Sequence, residues 1–174
     1  MPTATGFYAA QPKQASGVEM NVPIDLRAAL PRLLPGAIAW AEARAGEAAA
    51  TGAALTAAWS EIARRVGVQR PELIRVAIVD SVPLPDEPTL RAAALQTGLL
   101  GPHMAGLTLG YSVFVVRGQL SVRLLSHEFR HVQQYEAHGS IGAFLPVYLQ
   151  QIVEVGYDNA PYELDAQAHE VRAG

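Results

Sequence analysis

The chain has 174 residues, half of them hydrophobic, a length typical of one domain that can bury a full core without disulfides. The formal net charge of -3 and the scattered lysines and arginines argue against a nucleic-acid partner. Because cysteine is absent, disulfides, thiolate metal ligands and a cysteine nucleophile are excluded, and strong metal ligands must be histidines and carboxylates.

The N-terminal stretch contains Pro2, Pro12 and Pro23 but little periodic apolar sequence. We therefore expect an extended arm over residues 1–24 and one domain over residues 25–174. The arm lacks both a basic region and a continuous apolar region, so no secretory signal is predicted and a cytoplasmic location is expected. No apolar stretch reaches the roughly 20 residues of a membrane span, and none is predicted.

Two helices are predicted in the first half of the chain. An alanine-rich helix is expected from about Pro35 to Ala50, with Pro31 and Pro35 tolerated only at its start. A second helix is expected to end at Gly67, because apolar residues before it repeat at intervals of three and four. These residues are Leu55, Trp59, Ile62 and Val66.

The middle of the chain predicts strands. Residues 74–79 are alternating and rich in β-branched side chains, and a proline cluster follows them. Residues 90–98 predict a short helix. Residues 105–116 predict one long strand or two short strands broken near Gly110.

Three helices are predicted after the strands. The first runs from about Gln119 to Ala137, with Leu125, Phe129 and Val132 on its buried side. The second lies between residues 141 and 155 and is expected to start near Leu145, since Pro146 is tolerated only in a first turn. The third begins at Pro161, capped by Asn159 or Ala160. Helices, then strands, then helices predict an α+β fold.

The helix over residues 119–137 carries the pattern His127-Glu128-Phe129-Arg130-His131. Two helical positions four apart differ by only about 40° around the axis, so both imidazoles can reach one metal. A zinc-bound water has its pKa lowered to roughly 7, and a carboxylate at Glu128 can accept its proton. The pattern therefore predicts metal-assisted hydrolysis, most often of peptides.

The HExxH pattern also arises by chance, in roughly one chain in a hundred of this composition. The plain alternative is an amphipathic surface helix that carries two solvated histidines. Ser126, beside the motif, is interpreted as a helix hydroxyl rather than a nucleophile, because no Asp-His pair is placed to activate it.

A catalytic zinc usually has three protein ligands, so a third is required. His138 lies about 10 Å further along the same helix, which is too far. Other candidates are His103, His169 and the three acidic residues of the last helix, of which Glu163 is favoured. The other two acidic residues are Asp165 and Glu170.

The segment from Ser126 to Ala168 resembles the active-site region of gluzincin-type metallopeptidases, in which an E-x-x-A element on a later helix supplies the third zinc ligand. Here that element is Glu163-Leu164-Asp165-Ala166. The strings GLTLGYSVFV, HExxHxxQYE and PxExxA more closely resemble a bacterial family of uncharacterised function with a proposed metallopeptidase core, over about residues 70–168. Gln167 stands where the family pattern has an acidic residue.

The resemblance implies a zincin-like fold, with a small mixed or antiparallel sheet packed on the motif helix. It implies Zn²⁺ held by His127, His131 and Glu163, with Glu128 as general base. Zincin-type sites also place an edge strand beside the metal, where a peptide can pair with it. The candidate is Leu109–Val115, and an ordinary buried strand is the equal alternative.

Hydrolysis also needs a donor to the developing oxyanion. Tyr135, Tyr157 and Tyr162 are the candidates, and Tyr157 is favoured. For any one of them, half-buried packing is the competing interpretation. Asp165 is either a hydrogen-bond partner of a ligating imidazole or a solvated carboxylate.

The sequence thus predicts a zinc-dependent hydrolase, a gluzincin-type metallopeptidase acting on a peptide or protein. One alternative is a zinc-binding module with a vestigial site, which binds peptides without cleaving them. Another is a scaffold that binds no metal.

Overall fold

The computed structural model describes residues 23–172 of the chain. Within this range the helices are α1 (Leu26–Thr51), α2 (Ala57–Arg65), α3 (Pro88–Thr97), α4 (Val122–His138), α5 (Ile141–Val155) and α6 (Pro161–Ala168). The strands are β1 (Ala53–Ala54), β2 (Arg75–Val79), β3 (Gly106–Leu109) and β4 (Ser112–Val116). The predicted α+β class is confirmed. The expected arm over residues 1–24 lies outside the described residues, except for residues 23 and 24.

The strands form one mixed sheet in the order β1-β2-β4-β3. β2 and β4 are parallel, while β1 pairs antiparallel with β2 and β3 antiparallel with β4. The predicted break near Gly110 is confirmed, because the chain turns there between β3 and β4 with Gly110 at a φ of 64°. Strand β1 was not predicted, since two alanines after a helix carry no strand pattern.

The sheet order decides between the two interpretations of Leu109–Val115 in favour of an ordinary buried strand and against an edge strand. Most of that segment is β4, which has β2 on one side and β3 on the other, so its backbone groups are already paired. The edge strands are β1 and β3, and β3, over Gly106–Leu109, is the one beside α4. The Thr108 side chain bonds Glu128 of α4, and Gly106 lies directly against the Glu128 carboxylate.

Helices cover both faces of the sheet. On one face Val113 and Val115 pack with Leu125, Phe129 and Val132, so the predicted buried side of α4 is confirmed. On the other face apolar side chains of β3 and β4 pack with α1 and α5. Phe129 is fully buried, and such a side chain contributes roughly 1.5–3 kcal/mol through burial. This packing holds α4 against the edge strand.

Helix α1 begins earlier than predicted. It starts at Leu26, capped by the Asp25 side chain, and contains both Pro31 and Pro35. A proline in a helix interior costs about 3 kcal/mol, yet α1 continues because its apolar stripe packs against α5 and the sheet. Tertiary packing therefore overrides the local signal.

Helix α5 also begins earlier, at Ile141 rather than near Leu145. The Ser140 side chain accepts a hydrogen bond from the Ala143 N–H at 3.0 Å and caps the helix. Pro146 consequently lies inside α5.

Across residues 23–172, no helix combines the length and apolar character needed to cross a bilayer.

Candidate metal centre

Three side chains predicted as ligands converge between α4 and α6. The Nε2 atoms of His127 and His131 lie 3.2 Å apart. Glu163 Oε2 lies 3.4 Å from His127 Nε2, and Glu163 Oε1 lies 3.2 Å from His131 Nε2. Two ligand atoms, each 2.0–2.1 Å from a tetrahedral zinc, are about 3.3 Å apart, so the spacing fits this ion. Among the described residues, these three form the cluster able to hold a metal.

The sequence around each ligand explains this convergence. Ser121 caps α4 by accepting from the Leu124 N–H, and α4 then carries both histidines on one face. Pro161 starts α6 as its first residue, as predicted. Ala160 and Ala166 are both fully buried, and their small side chains allow α6 to approach closely. Glu163 is thereby held in the interior with 1% exposure.

His131 is oriented by Gln134, a residue that the sequence did not single out. The Nδ1 of His131 lies 2.9 Å from Gln134 Oε1. Gln134 Nε2 donates to the Tyr162 carbonyl at 3.0 Å and to Asp165 at 2.8 Å, so its oxygen is the atom left to accept. His131 therefore carries a proton on Nδ1, and its Nε2 is the nitrogen that faces Glu163 and would bind a metal.

The prediction for Asp165 is corrected in one respect. Its carboxylate bonds Gln134 rather than a ligating imidazole, and it also accepts from Arg130 Nε at 2.7 Å and Nη2 at 3.1 Å. Burial alone would raise the pKa of Asp165, but hydrogen bonds from Arg130 and Gln134 lower it overall. Asp165 thus positions His131 through Gln134.

His127 has a different environment. Its Nδ1 is buried without a hydrogen-bond partner in residues 23–172, although Glu170 Oε1 lies 3.3 Å away at an unfavourable angle. Gln167, which stands where the gluzincin pattern has an acidic residue, is exposed. The acidic side chain beside the His127 imidazole is instead Glu170, which also pairs with Arg123 at 3.2 Å.

The electrostatics of the centre follow from burying a carboxylate beside two imidazoles. Burial would raise the pKa of Glu163, but hydrogen bonds from His127 and His131 bring it well below its usual range. Burial would lower the pKa of His131, but the Glu163 carboxylate raises it overall. Glu163 is therefore an anion, as a ligand of a divalent cation must be.

Glu128 lies beside the centre and is held by the edge strand. It is 4% exposed, and its Oε2 accepts from the Thr108 hydroxyl at 2.7 Å. A Cβ at position 106 would come within 2.5 Å of Glu128 Oε1, so only glycine leaves room for this carboxylate. Burial raises the pKa of Glu128, although the two histidines oppose the shift.

The tyrosines divide between the site and the core. Tyr157 lines the same cavity as His127, Glu128 and Glu163, and its pKa is raised by burial and then by the two carboxylates. Tyr148, which was not predicted, donates its hydroxyl proton to Glu163 Oε1. Two other candidates are engaged elsewhere. Tyr135 packs on Phe144 with ring centroids 4.0 Å apart, and the Tyr162 hydroxyl bonds His138 at 2.6 Å.

The other residues considered as ligands or as a nucleophile lie apart from the cluster of His127, His131 and Glu163. His103 bonds the Gly98 carbonyl at 3.0 Å, and His169 bonds the Asp165 carbonyl at 2.8 Å. The Ser126 hydroxyl donates to the Arg123 carbonyl at 2.8 Å, in keeping with its interpretation as a helix hydroxyl.

Two cavities meet at the centre. The apolar pocket extends from it between α1, α3, β3 and α5. The polar cleft contains His103, Arg123 and Glu170 in its walls. His127, Glu128 and Tyr157 line both cavities. A molecule that spans the two cavities therefore passes the motif residues.

Comparison with known protein families, with curated proteins and with solved structures finds no match to this chain.

Proposed function

We propose that this protein is a zinc-dependent hydrolase of the gluzincin type that cleaves amide bonds, as metallopeptidases do. The observation that carries the proposal is the convergence of the Nε2 atoms of His127 and His131 with the Glu163 carboxylate, at 3.2–3.4 Å from one another. Two neutral imidazoles and one carboxylate are a common ligand set of catalytic zinc, and they leave a position for water. When bound, zinc lowers the pKa of that water and polarises the scissile carbonyl.

Glu128 is the proposed general base. It follows the first ligand in the chain, lines both cavities and is held by Thr108. Burial raises the pKa of Glu128, and a carboxylate with a raised pKa binds a proton taken from water more strongly. Tyr157 is the proposed hydrogen-bond donor to the oxyanion, since it lines both cavities beside Glu128.

The fold supports a zincin-like assignment. β3 is an edge strand, and it lies beside the motif helix, where Thr108 bonds Glu128. Its outer backbone edge has no partner strand in the sheet formed by residues 23–172. An extended peptide segment can pair with such an edge.

The test compares Glu128→Gln with Glu154→Gln, a matched change at an exposed glutamate of α5. Zinc content is measured by elemental analysis, and hydrolysis by digestion of a broad peptide and amide library. Both variants should bind one zinc, because neither position is a ligand. Only Glu128→Gln should lose hydrolysis, by about 10²–10⁴-fold.

Two outcomes would overturn the proposal. A wild-type protein that binds zinc and hydrolyses nothing in the library supports the alternative of a non-catalytic zinc-binding module. A wild-type protein that purifies without zinc and does not bind added zinc supports the metal-free scaffold.

A further inference from the structure

The apolar pocket has walls of unusual length for a site that accepts a single side chain. Its α1 wall carries Leu26, Leu30, Leu33, Ala37 and Ala41, at helical spacings that form one stripe. Fifteen helical residues rise about 22 Å, so this stripe runs well beyond the dimensions of one amino-acid side chain. The apolar lining of the pocket is thus elongated along α1.

The opposite walls are equally apolar. α3 contributes Leu90 and Ala94, and α5 contributes Leu149 and Val153. Among the lining residues that the structure describes, acidic and histidine side chains occur only at the candidate metal centre, as the three candidate ligands and Glu128. A ligand that fills the pocket away from the centre must therefore be apolar and uncharged.

Away from β3, the walls of the pocket do not suit a peptide. Every residue of a peptide brings an N–H and a C=O, and each costs free energy when it is buried without a partner. Three walls are helices, whose backbone groups are already bonded internally, and Thr97 is the only hydroxyl residue among the α1, α3 and α5 lining residues besides tyrosine. A methylene chain has no groups to satisfy and gains from burial.

The cavity on the other side of the centre is different in character. The polar cleft is lined by Arg123, Glu170 and His103, and it shares Glu128 and Tyr157 with the apolar pocket. A molecule with an apolar part and a polar part, joined by a hydrolysable bond, matches this arrangement.

We propose that the substrate is an N-acyl amide, whose long aliphatic acyl chain lies in the apolar pocket and whose polar amino part lies in the polar cleft. This inference rests on the proposed hydrolase function. In the reaction, the oxygen of water adds to the acyl carbonyl carbon and Glu128 accepts its proton. The bond between carbon and nitrogen breaks, and the nitrogen takes up that proton. The second proton of the water also passes to the nitrogen, so the products are a fatty acid carboxylate and an ammonium ion.

The first experiment measures binding rather than turnover. The metal-free, full-length protein is titrated by calorimetry with butanoyl, octanoyl and dodecanoyl glycinamide, which are uncharged and differ only in chain length. Affinity should rise by up to about fourfold for each methylene buried. Butanoyl glycinamide should bind too weakly to detect.

Two variants test whether the acyl chain lies in the apolar pocket. Leu90→Gln and Leu33→Gln place an amide in opposite walls and should weaken dodecanoyl binding by at least about tenfold. Leu95→Gln is the matched control. Leu95 lies on α3 with Leu90, but it is 43% exposed and lies outside the pocket. This variant should bind dodecanoyl glycinamide as the wild type does. Thermal melts identify any variant that fails to fold.

Fluorescence gives a second readout that needs no wall substitution. Trp40 lines the pocket, whereas Trp59 packs with the cluster on the other face of the sheet. Dodecanoyl glycinamide should shift the emission of wild type and of Trp59→Phe, and not that of Trp40→Phe. Affinity that does not depend on chain length, or an emission change that persists in Trp40→Phe, contradicts the inference.

Zinc-loaded protein separates this inference from the proposed function. Hydrolysis of library peptides without binding of any acyl glycinamide leaves the hydrolase proposal standing and overturns the acyl substrate. Binding that depends on chain length, with no hydrolysis of any amide, overturns the hydrolase proposal and leaves the apolar pocket as a binding site for acyl chains.

Discussion

Substituting Gly106 by alanine isolates the contribution of Glu128 without altering any proposed ligand. Gly106 does not have a positive φ, so alanine is compatible with its backbone. The added Cβ would lie 2.5 Å from Glu128 Oε1, 2.9 Å from Cδ and 3.1 Å from Cγ. Ordinary contacts between such atoms are about 3.5 Å, so the carboxylate must move by roughly 1 Å.

A misplacement of about 1 Å at a catalytic group can cost 10²-fold in rate, or about 2.7 kcal/mol of transition-state stabilisation. We therefore expect Gly106→Ala to lower kcat/KM by about a hundredfold on the best substrate found, with zinc affinity unchanged. Zinc affinity is measured by competition with a chromophoric chelator, and kcat/KM on the zinc-loaded enzyme.

The control is Gly142→Ala, at a helical glycine of α5 where the new Cβ meets Ile38 only at 3.8 Å. It should leave both quantities unchanged. Wild-type kcat/KM in zinc-loaded Gly106→Ala would refute the assignment of Glu128, in its observed position, as the base. Loss of zinc binding together with activity would show instead that the whole motif helix had shifted.

Three further predictions concern the ligands, their positioning and the fold. Glu163→Ala should reduce zinc affinity sharply, whereas His169→Ala should change it little; equal effects would contradict the ligand assignment. Gln134→Ala should lower zinc affinity by about 10–100-fold because His131 loses its Nδ1 partner, while Gln167→Ala, at an exposed position, should not; chelator competition measures both. Ser140→Ala should cost about 1 kcal/mol in the free energy of unfolding measured with urea, and no loss would mean that the cap does not set the start of α5.

The histidine pair illustrates what local sequence can predict. Positions four apart share a helical face wherever the helix lies, so the approach of His127 to His131 needed only the helix itself. Strands β2, β3 and β4 were predictable for the same reason, because alternation and β-branched residues are local signals, whereas the two alanines of β1 carry no such signal. The chain break near Gly110 was predicted correctly, and this glycine has a positive φ.

The prolines show where local reasoning fails. Pro31, Pro35 and Pro146 each predict a helix start, and each lies inside a helix. Proline's cost is local, but the gain from packing α1 and α5 against each other and the sheet is contributed by residues far away in the chain. The local sequence reveals the cost of a proline, but it does not reveal the packing energy that offsets this cost.

The sequence by itself determined the helical spacing of the motif, the exclusion of thiolate ligands and, through a family resemblance, the choice of Glu163. Only the tertiary structure decided that Gln134 holds His131, that Glu170 rather than Gln167 stands beside His127, and that an apolar pocket meets the centre. The physical reason is that contacts within one helix follow from its geometry, whereas these contacts depend on how α1, α5 and α6 pack, which is the sum of many weak and distant interactions.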